Sequence, residues 1–194
     1  MFRELASRPV GRADYLLGAA QGIAGWLALS RAQNAGAAFS LLEIFGKSLI
    51  LGSIAGIASL FLMGTIYARL CSQAGRIAIR RQVFHVLAYG GVPLAASLLV
   101  WLFTALLTGG ATFEVTLRPD VESFVALLLR VQFIAYVVLT LWSIVIQVMG
   151  LSEIQGLATR KALGLWILGQ LIGFLAVLFL MIFVTTLLPD GVTG

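Results

Sequence analysis

The sequence predicts an all-α polytopic membrane protein with five transmembrane helices, a cytoplasmic N-terminus and a non-cytoplasmic C-terminus. Three observations predict this fold class. Of the 194 residues, 60% are hydrophobic and 11% are charged, which leaves too little polar surface to cover a soluble globule of this size. Several charge-free runs reach the roughly 20 apolar residues that a helix needs to cross a ~30 Å hydrocarbon core. The basic residues are shared unevenly among the connecting loops, and this asymmetry indicates the orientation.

A single membrane domain is expected, with spans at about residues 14–31, 48–68, 86–108, 129–151 and 162–188. The first span is the least certain in length, because residues 15–30 cover only about 24 Å of helix and Gln21 lies in their middle. If it crosses, the cytoplasmic side collects most of the basic residues: Arg3, Arg8, Arg12, Arg69, Arg76, Arg80, Arg81, Arg160 and Lys161. If it is re-entrant, the N-terminal arginines lie outside. The positive-inside rule favours the crossing.

The segment 31–47 allows two interpretations. Its apolar residues Phe39, Leu42 and Phe45 are compatible with a short helix in the membrane interface, and a surface loop fits equally well. In the third span, the run AYGGVPLAA predicts a break at Pro93, since proline lacks an amide proton and its ring clashes with the carbonyl four residues back, at Tyr89.

The stretch GLSEIQGLATRKALGLW, residues 150–166, is a polar island between the fourth and fifth spans. It predicts a turn at the cytoplasmic interface, with Glu153 near Arg160 and Lys161, in preference to a surface that binds a partner. The second cytoplasmic loop carries Arg76, Arg80 and Arg81. These arginines are expected to contact anionic lipid headgroups, so no nucleic-acid partner is predicted.

No enzymatic site is predicted. Cys71 and His85 are the only cysteine and histidine, so neither a multi-cysteine metal site nor a zinc protease motif has its ligands. The assigned spans contain no pair of acidic residues for carboxylate catalysis. Arg130 is interpreted as an interfacial anchor in preference to a charge buried in the span, and His85 as a structural residue. No cofactor is expected.

Small residues recur at helical spacing in Gly18-x3-Gly22, Gly52-x3-Gly56 and Gly169-x3-Gly173. Such pairs let a neighbouring helix approach closely. Packing within the bundle is favoured over a homo-oligomer through the same faces. The amides of the intramembrane glutamines are expected to form interhelical hydrogen bonds; these residues are Gln21, Gln132, Gln147 and Gln170.

The order of several features resembles the Yip1 family of five-span membrane proteins. They are Tyr89 and Pro93 in the third span, Trp142 late in the fourth, and a small polar loop that ends in the Lys161–Ala162 pair. The resemblance covers about residues 84–178. It implies a polytopic helical fold and, in the eukaryotic branch, roles in vesicle traffic and binding of prenylated Rab GTPases. The DLYGP-like stretch of those members is not found before the first span, so Rab binding is not carried over.

Two functional hypotheses follow. The first is a non-enzymatic Yip1-like protein of bacterial type, with a scaffold or interaction role in membrane organisation or trafficking and with membrane lipids and a protein or second copy as partners. The second is a small transporter or permease subunit, with a midplane pocket near the Gly90-Gly91-x-Pro93 break. Gln132, Gln147 or Tyr136 would face that pocket. Both hypotheses place a multi-pass protein in the inner (plasma) membrane.

Overall fold

The backbone is helical apart from short connections. The computed structural model describes residue 4 and residues 8–73, 80–114 and 123–187. In these ranges the helices are α1 Arg12–Ala32, α2 Leu41–Lys47, α3 Ser53–Gln73, α4 Arg80–Gly90, α5 Val92–Thr108, α6 Ser123–Gln155 and α7 Thr159–Leu187. Short 3-10 helices lie at Ala35–Ala37 and Gly109–Phe113, and a π-helical turn at Ser48–Gly52.

Four continuous helical stretches in the described residues are long and apolar enough to cross a membrane, namely Leu41–Ser72, Arg80–Phe113, Phe124–Gln155 and Thr159–Phe179. Within the chain, only 11% to 33% of their apolar windows is buried, so most of this apolar surface is left for lipid. Helix α1 has 21 residues, about 31 Å at the usual rise. It is less apolar than these four, because it carries Asp14, Gln21 and Arg31.

The helix that contains the second predicted span begins before that span. Ser40 and Glu43 form a capping box at the start of α2, in which each side chain accepts a hydrogen bond from the other residue's backbone amide. Helix α2 then continues through the π-helical turn into α3. Residues 41–47 are therefore helical and continuous with the residues of the second predicted span. Phe39 stays partly exposed, with Lys47 Nζ 3.5 Å from its ring centroid.

The predicted break in the third span is confirmed. Helix α4 ends at Gly90 and α5 begins at Val92. Pro93 lies in the first turn of α5. Backbone amides in the first turn have no carbonyl partner within the helix, so the missing amide proton of proline costs no hydrogen bond there. Gly91 joins the two helices, and its amide still donates to the Leu87 carbonyl at 3.2 Å.

The three glycine pairs pack inside the chain, as the packing interpretation predicted. Gly18 and Gly22 of α1 face Gly52 and Gly56. A Cβ at Gly22 would overlap the Gly52 carbonyl oxygen and lie 2.5 Å from Gly56 Cα, so the two backbones are in direct contact. On α7, the third pair packs against α3: Gly169 lies against the Tyr67 ring and Gly173 against Met63.

A tight turn joins α6 to α7 within the polar island. Gly156 has a φ of +59°, a conformation that glycine adopts without strain. The Leu157 amide donates to the Ser152 carbonyl at 3.1 Å, which is the closing hydrogen bond of a Schellman motif. The Ser152 hydroxyl donates to the Leu157 carbonyl at 2.7 Å. These contacts hold the turn that was predicted for residues 150–166.

The glycine contact between α1 and α3 predicts the effect of one methyl group. Gly22→Ala should lower the free energy of unfolding by about 1–3 kcal/mol, the usual cost of overpacking a close contact. Thermal unfolding in mild detergent measures this loss. Gly164→Ala in α7 is the matched control, because nothing lies within 4 Å of a Cβ at that position. Equal unfolding temperatures for the two variants would contradict the close approach of α1 and α3.

Candidate functional site

A lateral groove lies between α1, α3 and α7, with a volume of about 850 Å³. Its floor is formed by residues of α4, α5 and α6, including Leu87, Leu94 and Gln147. Most of the wall is apolar. The apolar lining on α1 and α7 includes Trp26, Leu29, Phe174 and Val177. Gly25 of α1 also lines the groove, and a Cβ there would meet nothing within 4 Å.

Four polar side chains line this groove: Gln21, Ser59, Gln147 and Gln170. Two of them make interhelical hydrogen bonds, as predicted for the glutamines. Gln21 Nε2 donates to the Ala88 carbonyl at 2.9 Å, and Gln147 Oε1 accepts from Trp166 Nε1 at 3.0 Å. Ser59 and Gln170 are exposed, and the Gln170 side chain also forms a hydrogen bond with the Tyr67 side chain of α3. The groove therefore combines an apolar wall with exposed hydroxyl and amide groups.

The groove adjoins the break in the third span. A Cβ at Gly91 would overlap the Gln21 amide, and one at Gly90 would lie 2.6 Å from Gln147 Cγ. Backbone carbonyls near the break receive side-chain donors: Gln21 binds that of Ala88, and Ser143 Oγ donates to that of Gly90 at 2.9 Å. The groove thus lies near the break, where the sequence predicted a pocket, and Gln147 lines it.

Gln132 and Tyr136, the other residues expected to face that pocket, lie elsewhere. They line a second cavity of about 230 Å³, together with Ala28, Arg31, Ala32, Trp101 and Phe133. On α1, the groove is lined by residues 21, 22, 25, 26 and 29, and the second cavity by residues 28, 31 and 32. The second cavity therefore lies closer to the C-terminal end of α1.

A buried polar cluster lies at the start of α1. His85 Nδ1 is 2.6 Å from Asp14 Oδ1, and both residues are 2% exposed. His85 Nε2 is 3.0 Å from the Arg8 carbonyl oxygen, while the Gly11 amide donates to Asp14 Oδ2 at 2.8 Å. Both ring nitrogens of His85 therefore have a polar partner within the chain.

Asp14 is the residue that the sequence analysis missed. The available signal was local, since an acidic residue three positions after Gly11 is placed to bind the first free amide of a helix. Its partner His85 is 71 residues away, and no spacing rule connects them. The prediction of a structural role for His85 agrees with the two hydrogen bonds of its ring.

The other residues singled out from the sequence lie outside both cavities. Arg80 and Arg81 are exposed at the start of α4, and Arg160 and Lys161 at the start of α7. The Arg80 guanidinium carbon is 5.8 Å from the Phe61 ring centroid. Arg76 lies outside the described residues.

The remaining candidates are spread over three helices. Glu153 is partly buried near the end of α6, and Arg130 is exposed on the same helix. Tyr89 and Pro93 are partly buried on either side of the break, and the Tyr89 ring centroid is 6.3 Å from that of His85. In the described residues no group of three or more His, Cys, Asp or Glu side chains is placed to hold a metal ion.

Comparison of the chain with family models, with curated proteins and with solved structures found no match. Function is therefore inferred from the geometry of the chain itself.

The His85 contacts predict a large effect from one substitution. His85→Phe keeps an aromatic ring but removes both hydrogen bonds and leaves Asp14 buried without its partner, so the free energy of unfolding should fall by about 3 kcal/mol. Thermal unfolding in detergent measures it. The double variant His85→Phe/Asp14→Ala should lose less than the sum of the two single losses. Additive losses would show that the two side chains do not interact.

Proposed function

We propose that this chain is a non-enzymatic membrane protein that binds an amphipathic, lipid-like molecule in the lateral groove, in the manner of a small transporter or permease subunit. The observation that carries the proposal is the pair of exposed polar side chains, Ser59 and Gln170, in an otherwise apolar groove beside a broken helix. The hydrocarbon part of the ligand lies along α1 and α7, and its polar group meets the hydroxyl and the amide.

The cost of exposing polar groups to hydrocarbon supports this occupant. A hydroxyl or amide without a hydrogen-bond partner in an apolar medium costs several kcal/mol. Ser59 and Gln170 lie on helical stretches that are long and apolar enough to cross a membrane. The Gln170 amide bonds to Tyr67 and keeps further hydrogen-bonding capacity. A ligand with a hydrogen-bonding group can bond to the exposed hydroxyl and to the rest of the amide, whereas a plain hydrocarbon chain cannot.

The size of the groove also supports a small-molecule ligand. A volume of about 850 Å³ lies within the ~300–1,000 Å³ that is typical of ligand sites in proteins. Discontinuous helices beside such sites are a recurring feature of secondary transporters, because the backbone groups at the break are available for binding or are held by neighbouring side chains.

The proposal includes the five-span topology, in the inner membrane, with a cytoplasmic N-terminus. The length of α1 and its close contact with α3 support a first crossing, since α1 packs as a full member of the bundle. The excess of arginine on one set of loops supports the orientation.

The Yip1-like scaffold role stays a prediction from the sequence. A homo-oligomer also stays a prediction. Since the three glycine faces contact helices of the same chain, an oligomer would use other apolar faces, such as the exposed side of α6 around Val138 and Trp142.

Filling the groove tests ligand binding. Gly25→Leu places a side chain in open space in the groove and should not disturb folding, because leucine favours helix over glycine by roughly 1 kcal/mol. The control Gly164→Leu adds the same side chain where a Cβ also meets nothing. The probe is a monoacylglycerol with a diazirine in its acyl chain and a neutral headgroup, and the labelled residues are mapped by mass spectrometry.

The wild type and Gly164→Leu should be labelled at Trp26 and Phe174, and Gly25→Leu should lose this labelling. Labelling at the exposed Trp142 of α6 should be the same in all three proteins, since lipid contacts that face directly. Equal labelling of the groove in wild type and Gly25→Leu would refute the proposed ligand site.

The topology predicts the behaviour of fusions to an enzyme that is active only outside the cytoplasm. A fusion after Gly194 should be active and a fusion after Arg81 inactive, because the arginine-rich loop before α4 lies inside. Activity after Arg81 would contradict the proposed orientation.

A further inference from the structure

The second cavity has an unusual balance of donors and acceptors. Its polar lining residues are Arg31, Trp101, Gln132 and Tyr136. Arg31 Nη1 donates to Gln132 Oε1 at 3.1 Å. Because this contact is with a neutral amide oxygen, it does not balance the positive charge of Arg31, and no ion pair of Arg31 is found among the described residues. The contact also fixes the amide, since the opposite orientation would set Gln132 Nε2 against the guanidinium.

Two further donors of this cavity's lining residues have no partner. Trp101 is 3% exposed and Gln132 is 2% exposed. Within the described residues, Trp101 Nε1 and Gln132 Nε2 are buried and form no hydrogen bond. A buried donor without an acceptor costs about 1–3 kcal/mol, and both donors belong to residues that line the same cavity.

We propose that this cavity binds an anionic oxygen ligand, a phosphate or carboxylate group, through Arg31, Trp101 Nε1 and Gln132 Nε2. A guanidinium and two neutral N–H groups form a set that supplies only donors, and an oxyanion is the ligand that supplies only acceptors. A volume of about 230 Å³ suits such a group with the first atoms attached to it. Water would satisfy the two neutral donors but would not balance the charge of Arg31.

The position of the cavity suits a headgroup. Arg31 lies in the last turn of α1, next to the connections Ala35–Ala37 and Gly109–Phe113. The carbonyls of Leu29 and Arg31 already accept hydrogen bonds from Gln33 and Asn34, so these acceptors at the helix end do not take the free donors. Trp101 is held in place because its ring stacks on Phe113, with centroids 5.6 Å apart.

The test uses the full chain in an uncharged maltoside detergent. Bound lipid is counted by native mass spectrometry, and thermal unfolding gives the stabilisation by each compound. The compounds are phosphatidylglycerol, diacylglycerol with the same acyl chains, and inorganic phosphate. In the Gly25→Leu variant, whose groove is filled, phosphatidylglycerol should bind and raise the unfolding temperature, whereas diacylglycerol, which lacks the phosphate, should not. Inorganic phosphate separates a free anion from a lipid headgroup, because only a free-anion site responds to phosphate alone.

Three variants locate the site. Arg31→Gln should weaken the binding of phosphatidylglycerol by about tenfold or more, since a charged hydrogen bond is lost. Trp101→Phe keeps the ring and removes the Nε1 donor, so it should weaken binding severalfold, and it serves as the test if Arg31→Gln does not fold. Arg130→Gln is the matched control, because it removes the same charge from an exposed residue two positions from Gln132.

Binding that survives Arg31→Gln and Trp101→Phe, or that falls equally in Arg130→Gln, would overturn the proposal in favour of general attraction to a basic surface. The same holds if neither phosphatidylglycerol nor phosphate binds. Gly25→Leu, which changes a residue of the groove that does not line the second cavity, should leave this binding unchanged. A negative result for the anion site can therefore be distinguished from a negative result for ligand binding in the groove.

Discussion

The backbone contact between α1 and α3 is the constraint on which the other features depend. Helix α1 carries Asp14, Gln21 and Arg31, which would be costly on a helix that faced lipid on all sides. The glycines at 18, 22, 52 and 56 let α1 lie directly on the second span. Its polar side chains then reach α4 and α6, where they find hydrogen-bond partners. The glycine pairs thus make it possible for the least apolar long helix to belong to the bundle.

The break in the third span is stabilised by the same contact. A bilayer core supplies no water, so backbone groups near a break need partners within the protein. Gln21 and Ser143 donate to carbonyls on either side of Tyr89. The absence of a side chain at Gly91 leaves the space that the Gln21 amide occupies. Proline explains why the helix ends, and the neighbouring amide and hydroxyl explain how the ended helix is tolerated in this position.

Local and periodic features could be predicted from the sequence, but most partners could not. The break at Pro93, the turn at Gly156 and the small-residue faces depend on properties of one segment, and each has a counterpart in the structure. The start of the helix at Leu41 was not predicted, because it depends on the capping box that Ser40 forms with Glu43. The pairing of Asp14 with His85 depends on how three helices pack. Gln132 and Gln147 were expected at one pocket, yet they line different cavities, since which face of a helix meets which neighbour is decided by the whole bundle.

The polar residues of the bundle fall into two groups with different consequences. Asp14, Gln21 and Gln147 have partners within the chain, and they are explained by the fold alone. Ser59 and Gln170 are exposed in an apolar groove, with Gln170 also bonded to Tyr67, while Trp101 and Gln132 keep buried donors without acceptors among the described residues. Polar groups with incomplete hydrogen bonding are costly in a membrane, and this cost is the basis of both proposals. Neutral hydroxyl and amide groups in the groove suit a neutral polar group, whereas a guanidinium with two N–H donors suits an anion. The two lining sets therefore favour ligands of different chemistry.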